Sequence, residues 1–481
     1  MIKLYNTPNR KLEELKTITP GETLVYTCGP TIYSKQHIGN YASCIYWDVL
    51  VRILGLNGYQ VKRVLNLTDV GHLTSDADEG EDKMEKGARS EGTTAWQVAK
   101  KWGDDFVQNF RKLGLLEPYK LVKATDFIEA DLDLIRTLKN KGYTYQISDG
   151  IYYDTSKFPR YADFARLNLG ALQAGARVEH NREKRNITDF ALWKFSPVGS
   201  KRDMEWETPA DILEGDAPKM GFPGWHLECS TIIKQELGDT IDIHTGGIEH
   251  IPVHHTNEIA QSEAANDAPL SHYWLHNHLL TANGQKISKS LGNGYTLDDV
   301  NGRGFSHMDF KMWVLQGNFQ SDRDFTFDSL AAAQSRLLRW RNVAALRWQT
   351  HDTLADDSDK DSGLYALPKL LVETVSDNLN TPQAMALLDT SLSKLDDTDP
   401  ERINRGSLVD LFEAVDELLG LGILSSTSDI SEDAKRLIIE RNRAREAKDW
   451  AKADELRADI EQNHAVVLRD QSYSTIWEYA K

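Results

Sequence analysis

Apolar and polar positions alternate in two short stretches near the start of the chain, 22–28 (ETLVYTC) and 61–67 (VKRVLNL). Between them, apolar residues recur at helical spacing from about 40 to 57. Strand, helix, strand in that order predicts the opening of a doubly wound α/β domain. Residues 71–93 are acidic and aperiodic and read as a long surface loop. Helical spacing returns at 95–115 and 127–141. From 142 to about 220, short strand-like pieces (143–147, 151–153) alternate with polar turns and a basic stretch at 177–185, which reads as an insertion. The α/β pattern resumes with helix 226–237, strand 240–244, helix 254–265 and strand 272–280, followed by a glycine-flanked loop at 281–293. Amphipathic helices are then expected at 330–348, 364–378, 382–395 and 406–421, with acidic links at 352–361 and 396–399 and a mixed-charge helix at 432–462. Thr381-Pro382 reads as a helix start, a capping side chain followed by proline.

A chain of 481 residues is too long for one core. Its net charge of -17 argues against nucleic-acid binding by the whole surface but leaves room for local basic faces. Cys28, Cys44 and Cys229 are few, odd in number and far apart, which fits a reducing compartment rather than a disulfide framework. The N-terminus has no apolar core of leader length and no apolar run could span a bilayer, so a cytoplasmic protein without membrane contact is expected.

Candidate chemistry begins where the first strand ends. Cys28 closes that strand, Gly29-Pro30 breaks it, and His37, Gly39 and Asn40 stand where a loop hands over to a helix. Nucleotide phosphates bind at such helix starts on the carboxyl edge of an α/β sheet. Eight of the fourteen histidines fall between His226 and His278. Among them His254 lies one helical turn from Glu258, with Cys229 on the preceding helix. If both halves of the pattern share one sheet, Cys28, Cys229, His254 and Glu258 could converge at its carboxyl edge, a donor set that suits zinc. On spacing alone the cysteines also read as small buried hydrophobes, and His255 competes with His254 as the ligand.

The motifs H-I-G-N (37–40) and K-I-S-K-S (286–290) resemble the two signatures of class I aminoacyl-tRNA synthetases. Leu4-Tyr5-Asn6-Thr7, Cys28-Gly29-Pro30-Thr31, the 224–229 stretch GWHLEC and the 254–258 stretch HHTNE are similar to the cysteinyl-tRNA synthetase family in particular. The resemblance implies a Rossmann-like catalytic domain split by an insertion: first half 1–141, connective insertion 142–224, second half 225–300. It also implies a stem-contact region over 301–329, a helical bundle over 330–425 and a small anticodon-reading domain over 426–481. It assigns one zinc ion per chain to Cys28, Cys229, His254 and Glu258, holding the substrate thiolate. Thr68 and Trp225 would line the cysteine pocket. His37, Gly39, Asn40, Lys286, Ser288 and Lys289 would bind ATP, with His37, Lys286 and Lys289 acting on its phosphates and Mg2+ arriving with the nucleotide.

The activity so implied is ATP-dependent activation of L-cysteine and its transfer to the 3′-terminal ribose of tRNA(Cys), by a monomer. Arg336, Arg339, Arg341 and Arg347 with Trp340 and Trp348 offer charge and stacking surfaces for RNA. Two other readings compete: a paralogous ligase that passes cysteine to an aminosugar, and a non-catalytic zinc- and tRNA-binding module. Two departures stand out. Asn40 replaces the final histidine of the commonest signature, and Gly71-His72 with a longer acidic loop replaces the familiar Asp-Asp-Lys after Val70.

Overall fold

The computed structural model describes residues 1–71, 82–168, 181–197, 199, 202–215, 219–287, 292–349, 364–395, 403–471 and 475–480. A hairpin of β1 (Lys3–Asn6) and β2 (Lys11–Glu14) precedes β3 (Glu22–Thr27), α1 (Ile38–Leu56) and β4 (Gln60–Leu67). Then come α2 (Lys83–Glu91), α3 (Ala95–Lys112), β5 (Lys120–Lys123) and α4 (Ile128–Asn140). Strands β6 (Thr144–Ile147), β7 (Gly150–Tyr153), β8 (Phe190–Phe195), β9 (Trp206–Glu207) and β10 (Met220–Pro223) form a separate antiparallel sheet of order β6-β7-β8-β10-β9. That sheet packs its apolar face on Leu132, Ile135 and Leu138 of α4. After it, α5 (Trp225–Glu236), β11 (Ile241–Gly247), α6 (Thr256–Asn266) and β12 (Ser271–Asn277) return to the main sheet.

The main sheet is parallel, of order β12-β11-β3-β4-β5. Chain direction across it reverses between β3 and β11, so a crevice opens at their carboxyl ends, where doubly wound sheets bind nucleotides. All seven residues of β11 are buried, as befits a central strand covered on both faces. The other face of α1 (Trp47, Leu50, Leu54) shares one apolar core with Leu408, Leu411 and Val415 of the 405–419 helix, locking the bundle onto the α/β domain. No helix of the described residues is long and apolar enough to cross a membrane.

Several elements depart from the periodicity. Within the expected loop 71–93, Lys83–Glu91 is a helix, because Asp82 caps it by accepting from Met84 N (2.7 Å) and Glu85 N (3.0 Å), and Gly92 ends it at φ 65°. Residues 72–81, His72 among them, lie outside the described residues, as do the acidic links 352–361 and 396–399. The expected strand 272–280 divides: Leu280–Ala282 pairs with Gln285–Lys286 and Arg323–Phe325 in a small sheet of its own. The expected helix 432–462 is two, Glu432–Glu446 and Trp450–Asn463, broken at Lys448 (φ 60°) and restarted by the Asp449 cap. At 381 the cap is Asn380, whose Oδ1 accepts from Gln383 N at 3.2 Å, while the Thr381 hydroxyl donates to Leu315 O.

Candidate active site

The loop after β3 is held by main-chain and side-chain bonds from both neighbouring strands. Cys28 N donates to Thr245 O (3.1 Å) and Gly29 N to Asn66 Oδ1 (2.8 Å). Only glycine fits at 29, since a Cβ there would sit 1.6 Å from Asn66 O. Asn66 Nδ2 in turn donates to the Thr68 hydroxyl (3.0 Å), which donates to Glu228 Oε2 (3.1 Å). Burial pushes the Glu228 carboxyl well above its ordinary range, with the charge of Asp69 adding to it and the Thr68 hydroxyl opposing it.

Cys28, Cys229, His254 and Glu258 are brought together, with one donor atom of each lying within 4.8 Å of the others. Cys229 is on the first turn and a half of α5, and Glu258 opens α6. His254 belongs to a π-turn, Ile251–His255, that widens the entry into α6. His254 Nε2 lies 2.6 Å from Glu258 Oε1. A second set, Cys28, His244, His255 and Glu258, meets the same distance limit. The extra turn geometry explains it: the π-turn lets His255, not only His254, face the donors, which regular helical spacing would not do.

Imidazoles back three of the donors. His244 Nε2 is 2.7 Å from Glu258 Oε2, His226 Nδ1 is 3.0 Å from His254 Nδ1, and His255 Nε2 is 3.5 Å from Cys28 Sγ. Trp225 stacks on His254 with centroids 4.4 Å apart. Burial raises the Cys28 thiol well above its usual range, whereas a hydrogen bond from Cys28 brings the Cys229 thiol down to about 7. For His254, burial opposes protonation, but the Glu258 carboxylate and the Cys229 sulfur outweigh it and raise the ring to about 10. Glu258 is held well below the carboxylate range: its burial would raise it, and His254 and His244 more than offset that. The cluster thus favours a positive charge at its centre, as sulfur, nitrogen and oxygen donors of a cation site do.

This cluster forms one wall of a cavity of about 170 Å³ bordered by Cys28, Cys229, His254, Trp225 and Thr68. A second cavity of about 180 Å³ is bordered by His37, Gly39, Lys286, Arg323 and His278. Asn40, Ser43 and Glu249 border both, so the two are contiguous. His37 caps α1, its Nδ1 accepting from Gly39 N (3.1 Å), which leaves Nε2 to carry the proton of the neutral ring and donate. Asn40 Oδ1 is buried with no hydrogen-bond partner among the described residues, on the wall that the two cavities share. Ser288 and Lys289 lie outside the described residues. Sequence reasoning missed His226, His244, Glu249 and Arg323; the dense run of histidines was the one signal that pointed to the first two.

Several basic residues are already engaged within the fold. Trp340 is fully buried and donates to Asp389 (2.6 Å), so it offers no stacking surface, and Arg336 pairs with the same carboxylate. Arg347 binds Leu424 O and Thr427 O, while Trp348 keeps 38% of its surface exposed.

Comparison with known proteins gives a consistent picture. Residues 14–335 match the model of the class I (C) tRNA synthetase catalytic domain, and 427–477 that of the cysteinyl-tRNA ligase anticodon binding domain. Cysteine–tRNA ligase 1 of Burkholderia lata is 42% identical over 461 residues, 95% of this chain and 92% of that protein. The cysteine–tRNA ligase of Treponema denticola is 35% identical over 99% of both chains. In fold, the chain resembles Mycobacterium tuberculosis methionyl-tRNA synthetase in complex with methionyl-adenylate (TM-score 0.60, 16% identity, covering 84% of this chain and 92% of that one). The chain therefore belongs to the class I aminoacyl-tRNA synthetases, within the cysteine–tRNA ligase family.

Proposed function

We propose that this chain activates L-cysteine with ATP and esterifies it to the terminal ribose of tRNA(Cys), and that Cys28, Cys229, His254 and Glu258 hold a zinc ion at the floor of the amino-acid cavity. The observation that carries the reading is the convergence of those four donors, three of them (Cys28, Cys229 and His254) bordering a cavity continuous with the one at His37. Of the two donor sets, this one is preferred because three of its members border the cavity, whereas His244 and His255 do not. Bound zinc supplies an electrophilic centre that prefers a sulfur ligand to a hydroxyl, which separates cysteine from serine.

The protein's own groups then do the rest. Trp225 and Thr68 bound the pocket, and Asn40 offers an acceptor between amino acid and nucleotide. The cysteine carboxylate attacks the α-phosphorus of ATP, pyrophosphate leaves, and His37 Nε2 donates to the phosphate oxygen as charge builds. Lys286, with Ser288 and Lys289 of the K-I-S-K-S sequence, meets the departing phosphates and their Mg2+. The tRNA ribose hydroxyl next attacks the activated carbonyl, and AMP leaves. We take the working enzyme to be a cytoplasmic monomer, with residues 142–224 and 301–329 as connective and stem-contact regions.

Cysteine-dependent ATP–pyrophosphate exchange followed by charging of tRNA(Cys) tests the proposal. Exchange and charging with cysteine and not serine are expected. Exchange without charging would replace tRNA by another acceptor, and no exchange at all would remove the enzyme reading.

A further inference from the structure

The β1–β2 hairpin carries Leu4-Tyr5-Asn6-Thr7, and it is stitched to the strand behind the donors. Asn6 Nδ2 donates to His272 O (3.0 Å), Asn6 Oδ1 accepts from Trp274 N (3.0 Å), and Thr7 N donates to Trp274 O (3.0 Å). These bonds bring Thr7 Oγ1 to 2.7 Å from His276 Nδ1. His276 Nε2 lies 2.8 Å from His255 Nδ1, and His255 Nε2 reaches Cys28 Sγ. Both rings are buried, and Trp274 packs on His255 with centroids 5.0 Å apart. Gly246 leaves the ring its place, since a Cβ there would lie 2.6 Å from His255 Cε1.

We propose that Thr7, His276 and His255 are positioning residues that hold the Cys28 sulfur through a directional hydrogen-bond relay, so that the N-terminal hairpin sets the geometry of the metal centre; this rests on the reading of Cys28 as a metal ligand. The direction follows from donor and acceptor counts. A metal-bound thiolate only accepts, so His255 must present Nε2–H to it. A neutral ring has one N–H, so His255 Nδ1 must accept from Nε2–H of His276. His276 Nδ1 is then an acceptor, and the Thr7 hydroxyl is the group that donates to it. Every proton in the chain points toward the sulfur. Without the hydroxyl, His276 is free to take its other tautomer, His255 follows, and a lone pair then faces the thiolate. Partners of this kind, acting through a ligand, typically change metal affinity by about 10–100-fold.

The test uses the full-length protein loaded with zinc, and with cobalt as a spectroscopic probe. Thr7→Val should lose metal to a chelator about tenfold faster than wild type, shift the thiolate-to-cobalt charge-transfer band, and raise KM for cysteine while leaving KM for ATP. Thr7→Ser, which keeps the hydroxyl, should restore all three. His276→Asn, checked for folding by circular dichroism, should behave like Thr7→Val. Wild-type metal retention and an unmoved band in both Thr7→Val and His276→Asn would overturn the relay. A wild-type protein that retains no metal would remove the ligand reading itself, and the relay with it, a failure visible before any variant is made.

Discussion

The ammonium of Lys311 lies 3.3 Å from the carboxylate of Asp48, and neither side chain is exposed. Asp48 is on α1, the helix that begins at His37, and it also receives Arg52 Nε (2.7 Å) and Leu116 N (2.7 Å). Lys311 and Arg52 reach across to the end of the 405–419 helix, Lys311 to Gly420 O (3.0 Å) and Arg52 to Glu417 O (3.0 Å), where a helix C-terminus favours cations. The helix that His37 caps and the 405–419 helix are thus joined through one buried carboxylate. Asp48→Asn leaves these cations uncompensated and should destabilise the protein by about 3–5 kcal/mol. Lys311→Met, which leaves Arg52 on Asp48, should cost about 1–3 kcal/mol. Urea unfolding decides it; two variants of wild-type stability would mean the junction is held by apolar packing alone.

The same pair predicts an unusual pH dependence. Burial lowers Lys311 from its ordinary 10.5 to about 8, against the pull of Asp48 and Asp416 and together with Arg52. Between those values the unfolded chain holds the proton that the folded chain has released. Stability linked to this group therefore rises with pH from about 8 to 10.5, because the unfolded state binds more protons there. The stability difference between wild type and Lys311→Met should widen across that window, as unfolding measured at pH 7.5 and 9.5 would show. A constant or shrinking difference would refute the assignment.

Removing a donor from the metal cluster should act on the amino acid before the nucleotide. Glu258→Gln keeps size and one oxygen donor but discards the carboxylate charge that would add to that of the thiolates in balancing a dication and that pairs with His254 and His244. Metal retained per chain after dialysis against a chelator should fall, and KM for cysteine in pyrophosphate exchange should rise by about a hundredfold or more, exceeding what the loss of a ligand's partner brings. KM for ATP should hardly move, since His37 and Lys286 border the other cavity. Equal losses for both substrates would place Glu258 in the scaffold instead.

The α/β core was legible because its signals are local. The alternation at 22–28 and the helical spacing after 40 correspond to Glu22–Thr27 and Ile38–Leu56. The capped helix Lys83–Glu91 was hidden among acidic residues, since a nine-residue helix buries only Met84, Gly87 and Ala88 and leaves little periodicity. Lys448 was equally opaque: a lysine in the left-handed region leaves no mark in a charged pattern. At the site, single residues were recognisable by motif, but their environment was not. His244 and Trp274 stack 4.4 Å apart from adjacent parallel strands, a relationship fixed by the register Ile241↔Ser271, which no single-chain spacing encodes. His255, which competed with His254 on spacing alone, lies in the π-turn Ile251–His255 with its Nε2 3.5 Å from Cys28 Sγ, a local geometry that sequence spacing does not reveal.

Gly29 gives a test of how closely the loop carrying Cys28 must approach the sheet. Gly29→Ala would put a methyl into the Asn66 carbonyl, forcing the loop outward and breaking the bond from Gly29 N to Asn66 Oδ1. A loss of roughly 1–3 kcal/mol or more is expected for such overpacking, with reduced metal content because Cys28 moves with the loop. Gly55→Ala is the control: it lies within α1 with nothing near its added Cβ, and should stabilise by up to about 1 kcal/mol. Thermal unfolding and metal analysis of the two variants should diverge. Similar behaviour would mean the loop at Gly29 yields without consequence.

The small C-terminal unit depends on one carboxylate in the same way. Asp470 accepts two bonds from Arg441 (2.8 and 2.7 Å), one from Arg445 (2.5 Å) and one from Thr475 (2.7 Å). Arg441 is only 3% exposed, so its guanidinium serves the fold and is not available to RNA. Asp470→Asn should cost this unit about 2 kcal/mol, less than a fully buried pair because Asp470 keeps a quarter of its side chain in water. The Arg441 bonds hold the Asp470 carboxyl well below its ordinary 3.8, so its contribution is complete above that value and lost as pH falls through the folded-state value. Melting followed through the buried Trp477 should therefore separate wild type from Asp470→Asn at pH 7, with the gap narrowing as the solution is made strongly acidic. Coincident melts at pH 7 would show that the Asp470 charge, and with it its pairing to Arg441 and Arg445, is dispensable to this packing.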